Sequence, residues 1–124
     1  MKLRLRGNSL RLRLTQREVR ALVETGSVEE TTSFGPHAAL TYVLAVAPGE
    51  SAVRAAFEAG VVRVTLPAAE AHAWATSERV AIEVEQPAGA SGALRVLVEK
   101  DFACLKTRSG ETDDDAYPNP HPTC

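Results

Sequence analysis

The sequence predicts a mainly β member of the α+β class: internally duplicated ββαββ units forming one eight-stranded antiparallel barrel-like sheet with two short helices. Three observations carry this expectation. Residues 10–28 recur without a gap fifty-two positions later as 62–80, with Arg11, Leu14, Glu18, Ala21 and Val28 falling on the identical Arg63, Leu66, Glu70, Ala73 and Val80. Apolar residues alternate strictly with polar ones where each copy opens, and a short capped segment of helical period follows in both. A unit of about fifty residues with one two-turn helix buries too little surface to stand alone, so the copies are expected to share a core. Closing their strands into a barrel removes exposed edges. The duplicated domain is expected over residues 1–105, with units at about 1–49 and 50–105, followed by a polar, irregular, acidic tail over 106–124.

The elements follow from local chemistry. Met1 to Arg6 and Leu10 to Leu14 place Leu3, Leu5, Leu10, Leu12 and Leu14 on one face and basic residues on the other, the period of a strand. Gly7-Asn8 between them suits a type II′ or I′ turn, because both residues tolerate positive φ. Thr15-Gln16-Arg17-Glu18 fits a capping box, Val19, Leu22 and Val23 supply the buried stripe, and Gly26 stops the helix. In the second copy Pro67 is placed at the first helical position and the stripe becomes Ala71, Trp74 and Ala75. Val28 to Phe34, Leu40 to Val46, Val80 to Glu85 and Leu94 to Phe102 complete the two units as strands, and Ala52 to Ala59 with Val61 to Leu66 form the second hairpin around Gly60. Pro36, Pro48-Gly49 and Pro87-Ala88-Gly89 punctuate them.

Composition limits the function. A chain of 124 residues with 44% hydrophobic and 24% charged residues is ordinary for a globular domain, and with 5% aromatics its core must come mainly from Val, Leu and Ala. The N-terminal stretch has no continuous apolar run, which argues against a signal peptide or membrane span, so a cytoplasmic location is expected. Cys104 and Cys124 are too few for a disulfide framework and are expected to be reduced. The net charge of −2 conceals an asymmetry: residues 1–26 carry seven basic and two acidic side chains, while residues 101–124 carry five acidic and two basic. A basic head and an acidic tail sit on one small body.

Arg6-Gly7-Asn8-Ser9-Leu10-Arg11-Leu12-Arg13-Leu14 followed by a capped helix resembles the AbrB and MazE families of DNA-binding regulators and antitoxins. Val61-Val62-Arg63-Val64-Thr65-Leu66-Pro67 with its helix fits the same pattern. The resemblance implies two interleaved hairpin units fused into one chain. Thr15 stands where those families carry proline, and the second hairpin offers only Arg54 and Arg63, with Glu58 opposing them. Taken whole, from MKLRLRGNSLRLRLTQ through Glu99-Lys100-Asp101-Phe102 to Tyr117-Pro118-Asn119-Pro120, the chain also resembles a family of short uncharacterised bacterial proteins, which implies no activity.

The N-terminal basic ladder is the sharpest functional signal. A two-residue turn sets Arg4 opposite Arg11 and Lys2 opposite Arg13, and like charges across a ladder cost a few tenths to about 1 kcal/mol each. Solvation, carboxylates such as Glu83, Glu85 and Glu99 or the Asp113-Asp114-Asp115 run, and an anionic partner are the three ways to offset them. The leading expectation is a non-catalytic DNA-binding or regulatory module that holds duplex DNA or another polyanion through Lys2, Arg4, Arg6, Arg11 and Arg13, with no cofactor. No aromatic residue sits in the ladder to stack single-stranded bases.

Two other functions compete. A triphosphate-binding barrel resembling the CYTH enzymes would turn Arg11, Arg13, Arg63, Arg95, Glu83, Glu85 and Lys100 into an enclosed channel. A protein-interaction module would use strand edges or the Trp74 helix. Cys104, His121 and Cys124 match no standard zinc spacing and lack an evident fourth ligand, so no metal is expected. His37 and His72 have no nucleophile motif beside them, and no glycine-rich phosphate loop is present.

Overall fold

The first hairpin forms as its alternation dictates. β1 (Lys2–Arg6) and β2 (Ser9–Leu14) pair antiparallel with Leu3 opposite Leu12, and Leu10, Leu12 and Leu14 are buried. Gly7 alone takes a positive φ of 53° in the turn, which the type II′ alternative requires at its first position. The computed structural model describes residues 1–102, so the expected tail over 106–124 and the Cys104, His121 and Cys124 set lie outside the described residues.

Helix α1 (Gln16–Thr25) starts at the predicted capping box: Thr15 Oγ1 accepts from the Glu18 amide and the Glu18 carboxylate accepts from the Thr15 amide. Gly26 ends it in the left-handed conformation at φ 91°. Of the expected stripe, Val19 and Leu22 are buried but Val23 is about half exposed. β3 (Ser27–Gly35), β4 (Ala38–Ala47), β5 (Arg54–Glu58) and β6 (Val61–Pro67) follow. Pro67 closes β6 opposite Ala47 and caps helix α2 (Ala68–Ala75), one position earlier than expected. β7 (Ala81–Pro87), a turn of 3₁₀ helix at Gly89–Ser91 and β8 (Ala93–Lys100) complete the fold.

The single eight-stranded antiparallel barrel is not what these strands build. They form two four-stranded sheets, ordered β1-β2-β8-β7 and β3-β4-β6-β5. We call them sheet A and sheet B. Each is mixed, because its two central strands, β2 with β8 and β4 with β6, run parallel. Every sheet therefore joins a hairpin from one half of the chain to a hairpin from the other. Alternation sets which face of a strand is buried but not its neighbour across a sheet, so this exchange was not readable from periodicity.

The sheet edges also show why no barrel closes. At one seam the Gln86 side chain on β7 donates to the Ala55 carbonyl and accepts from the Ala55 amide on β5, both at 2.8 Å. A side-chain amide stands there in place of a strand ladder. At the other seam the Met1 ammonium lies between the Glu18 and Glu30 carboxylates, while the Tyr42 hydroxyl donates to Glu30 at 2.8 Å and lies 3.2 Å from the Met1 carbonyl. Burial, the largest influence on the ammonium, lowers its pKa, but hydrogen bonds and attraction from the two carboxylates outweigh that and hold it above its ordinary value.

Register corrects the repeat as well. Leu12 faces Val98 and Val64 faces Leu44, so Leu12 and Val64 hold equivalent places fifty-two residues apart, whereas Leu44 and Val98 hold equivalent places fifty-four apart. Two extra residues enter between α2 and β7. The counterpart of Val28 is therefore Ile82, which faces the core, and not Val80, which lies outside the strands and is about half exposed. The Val80 carbonyl instead accepts the indole N–H of Trp74 at 3.1 Å.

One core lies between the sheets. It takes Leu10, Leu12 and Leu14 from β2, Val62, Val64 and Leu66 from β6, Val96 and Val98 from β8, and Leu44 from β4. The two helices touch each other and cover one end of the sheets, bringing Leu22 and Trp74, both fully buried, against that core. The hairpin tips lie at the opposite end. No helix among the described residues is long and apolar enough to cross a membrane.

Candidate functional site

Because Leu10, Leu12 and Leu14 point inward, Arg11 and Arg13 point outward, and the register carries that parity across sheet A. Three rows result: Lys2, Arg13, Glu99 and Ala81; Arg4, Arg11, Leu97 and Glu83; Arg6, Ser9, Arg95 and Glu85. The face is polarised, with basic side chains dominating β1 and β2 and carboxylates lying on β7 and β8. All five sequence-predicted basic residues lie on it, and Arg95, which no ladder argument selected, joins them through the parallel β2–β8 pairing.

The expected like-charge oppositions are present. Arg4 faces Arg11 and Lys2 faces Arg13. Glu99 offsets part of this charge: its Oε1 accepts from Arg13 Nε at 2.8 Å and Arg13 Nη2 at 2.7 Å, and lies 3.6 Å from Arg11 Nε. Lys2 Nζ is 3.2 Å from Asp101 Oδ2 at the end of the same face. Glu83, another carboxylate considered for the ladder, pairs with Arg95 instead, accepting from its Nε at 2.6 Å. The exposed Arg6 makes no ion pair among the described residues.

The equivalent face of sheet B has a different chemistry. Its outward positions are Arg54, Ala56 and Glu58 on β5, Val61, Arg63 and Thr65 on β6, and Thr41, Val43 and Ala45 on β4. The backbone arrangement is repeated and the charge is not. Nor do charged groups enter the interior: the described residues include no buried polar or charged residue. Arg11, Arg13, Arg63, Arg95, Glu83 and Glu85 lie on outer faces, and Lys100 Nζ sits 5.8 Å from the Trp74 ring centroid and donates to the Ser77 carbonyl at 2.8 Å. An enclosed channel lined with charges, as a triphosphate enzyme of this size would need, is not formed by them.

A family model described as a family of unknown function (DUF7009) matches residues 1–121. The chain belongs to this family. No curated protein and no solved structure matches it.

Cavities among the described residues lie away from the basic face. One of about 420 Å³ lies at the helical end, among Leu14, Val19, Ala75 and Phe102, with Arg20 and Lys100 beside it. Another, about 470 Å³, opens between the sheets at the hairpin tips, lined by Leu5, Leu10, Leu40, Phe57, Val62 and Leu94 together with Asn8 and Gln86. The polar side chains in that mouth are engaged, Asn8 donating to the Ala93 carbonyl at 2.7 Å, Ser9 to the Arg6 carbonyl at 2.6 Å, and Gln86 paired to Ala55. Sequence reasoning placed Leu5 in the core with the other leucines. It is 62% exposed, because at the tip no element covers the inner face of the hairpin. His37 and His72 are exposed, and no group of His, Cys, Asp and Glu suited to a metal ion occurs among the described residues.

Proposed function

We propose that the outer face of sheet A is a non-catalytic binding surface for a polyanion, duplex nucleic acid being the class it suits best. The supporting observation is the outward-facing array of Lys2, Arg4, Arg6, Arg11, Arg13 and Arg95 across β1, β2 and β8, in which Lys2, Arg4, Arg6 and Arg95 are exposed and Arg11 and Arg13 are partly covered beside Glu99. Such an array holds phosphates by releasing condensed counterions and needs no pocket. The carboxylates on β7 confine the attraction to the β1–β2 side, so a duplex would lie along that hairpin. The resemblance of this hairpin and helix to DNA-binding AbrB and MazE proteins agrees with the assignment. A paired half-site within one chain does not follow, since sheet B lacks a matching basic face.

The test is fluorescence anisotropy of a labelled duplex over a series of salt concentrations. Binding at low salt should weaken linearly on a log–log plot, with a slope of roughly −3 for three to four phosphates neutralised. Arg4→Glu with Arg6→Glu should remove binding, and Arg54→Glu on sheet B should leave it unchanged. Failure to bind any duplex at low salt, or equal loss from the sheet B variant, would refute the assignment.

A further inference from the structure

We infer that the apolar mouth at the hairpin tips is the interface of a head-to-head homodimer. The mouth is the end of the sheet pair away from α1 and α2. Two large apolar side chains with core-facing parity stand uncovered at the tips there, Leu5 at 62% and Phe57 at 69% exposed, and Phe34, at the bulge in β3, is 71% exposed. A cavity of about 470 Å³ opens between Leu5 and Phe57, with room for an aromatic side chain. Large apolar side chains left exposed around an open cavity on a small domain mark an association site.

The internal pseudo-symmetry selects the partner. Leu5 and Phe57 occupy equivalent places, as do Leu10 and Val62. Equivalent too are Arg6 and Glu58, each the last residue of the first strand in its hairpin. These two carry opposite charges, are exposed, and make no ion pair among the described residues. The mouth therefore has one basic and one acidic rim, half a turn apart. A ligand of single charge matches only one of them. A second copy facing the first matches both when its acidic rim meets the basic rim and the reverse.

That arrangement is isologous and closes at two copies. It pairs Arg6 with Glu58 twice and sets Leu5 of each copy against Phe57 of the other. Placing like rims together would oppose two arginines and two glutamates, so charge chooses between the two twofold arrangements. Arg6 is shared with the proposed polyanion face, but self-association is read without nucleic acid and Leu5, Phe57 and Glu58 lie outside that face, so failure of one proposal is distinguishable from failure of the other.

Sedimentation velocity of the full chain over a micromolar concentration series tests it. A monomer–dimer equilibrium is expected, and Phe57→Ser should raise the dissociation constant at least about tenfold, as truncating a central aromatic anchor does. Arg6→Glu or Glu58→Arg alone should weaken the dimer, and combining them should restore it to within about threefold of the parent. Circular dichroism confirms folding, and Leu5→Ser replaces Phe57→Ser if that variant does not fold. A monomer at all concentrations, a dimer indifferent to both serine variants, or a double reversal that stays weakened would each overturn the inference. So would a monomer that binds laurate in the mouth, which would assign it to a small amphipathic ligand.

Discussion

Replacing Glu99 with glutamine tests whether this carboxylate is what allows the basic ladder to exist. Glu99 accepts two charge-assisted bonds from Arg13, at 2.8 and 2.7 Å, and lies 3.6 Å from Arg11. The groups are only 14–21% exposed, so the exchange lies between the small worth of a surface pair and the 1.5–3 kcal/mol of a hydrogen bond to a charged group. Glutamine keeps an acceptor and loses the charge. It also removes the Glu99 charge that offsets Arg13 and Arg11 within the Lys2–Arg13 and Arg4–Arg11 oppositions, each worth a few tenths to about 1 kcal/mol. The expected cost is about 1–2 kcal/mol at low salt, read as a shift in urea midpoint at constant slope. At 1 M NaCl, where screening acts over about 3 Å, more than half of this should vanish. On the proposed function, the same variant should bind duplex DNA more tightly, with stability and affinity moving in opposite directions. An unchanged midpoint, or a cost that salt does not reduce, would show that Glu99 does not compensate the ladder.

Three further outcomes are expected. Burial, the largest influence on Glu18, raises its pKa, but hydrogen bonds from the Met1 ammonium and Thr15 outweigh it and hold the carboxyl below its ordinary 4.5; the ammonium is held above its ordinary 8.0. Its stabilisation is thus complete above pH 4.5 for the carboxylate and below pH 8.0 for the ammonium, fading as pH falls through the first depressed value or rises through the second elevated one. Glu18→Gln should flatten both limbs of the stability–pH curve, and limbs of undiminished steepness would contradict the clasp. Gln86→Leu strips the Ala55 amide and carbonyl of their partner across the seam, at an expected cost of about 1–3 kcal/mol, with faster hydrogen exchange at the Ala55 amide as the local readout. Ala59 has a left-handed φ of 51° in the second turn, so Ala59→Gly should stabilise by about 0.5–1 kcal/mol, whereas Gly60→Ala should destabilise, since φ there is 79° and an added Cβ would lie 3.1 Å from the Ala39 carbonyl. Thermal melts of the two variants should shift in opposite directions.

Much of the local structure was legible because its causes are local. The Thr15–Glu18 box, the Gly26 stop, the Gly7-Asn8 turn and the β1–β2 register depend on residues a few positions apart, and all are present. Errors arose where a residue's surroundings come from elsewhere. Leu5 has the parity of Leu10 and Leu12, yet nothing reaches over it at the tip. Val28 and Val80 match in sequence, but two extra residues before β7 shift the frame, so the repeat continues through Ile82.

The basic face illustrates the same division. Alternation alone placed Lys2, Arg4, Arg6, Arg11 and Arg13 on one side of a hairpin, because successive side chains of a strand point to opposite faces. Which strand would lie beside β2 was beyond its reach. The parallel β2–β8 pairing brings Glu99 against Arg11 and Arg13 from 86 residues beyond the latter, and adds Arg95 to the face. By itself the sequence determined the strands, the caps of the first helix, the turn chemistry and the asymmetry of charge between the two copies, since these depend on short-range sterics, hydrogen bonding and side-chain period. Only the tertiary structure decided that the hairpins exchange into two sheets, that Gln86 stitches one seam, and that an apolar mouth stays open at the tips. Those features depend on contacts between distant segments, whose partners are set by the mutual burial of whole faces and not by any pattern within one segment.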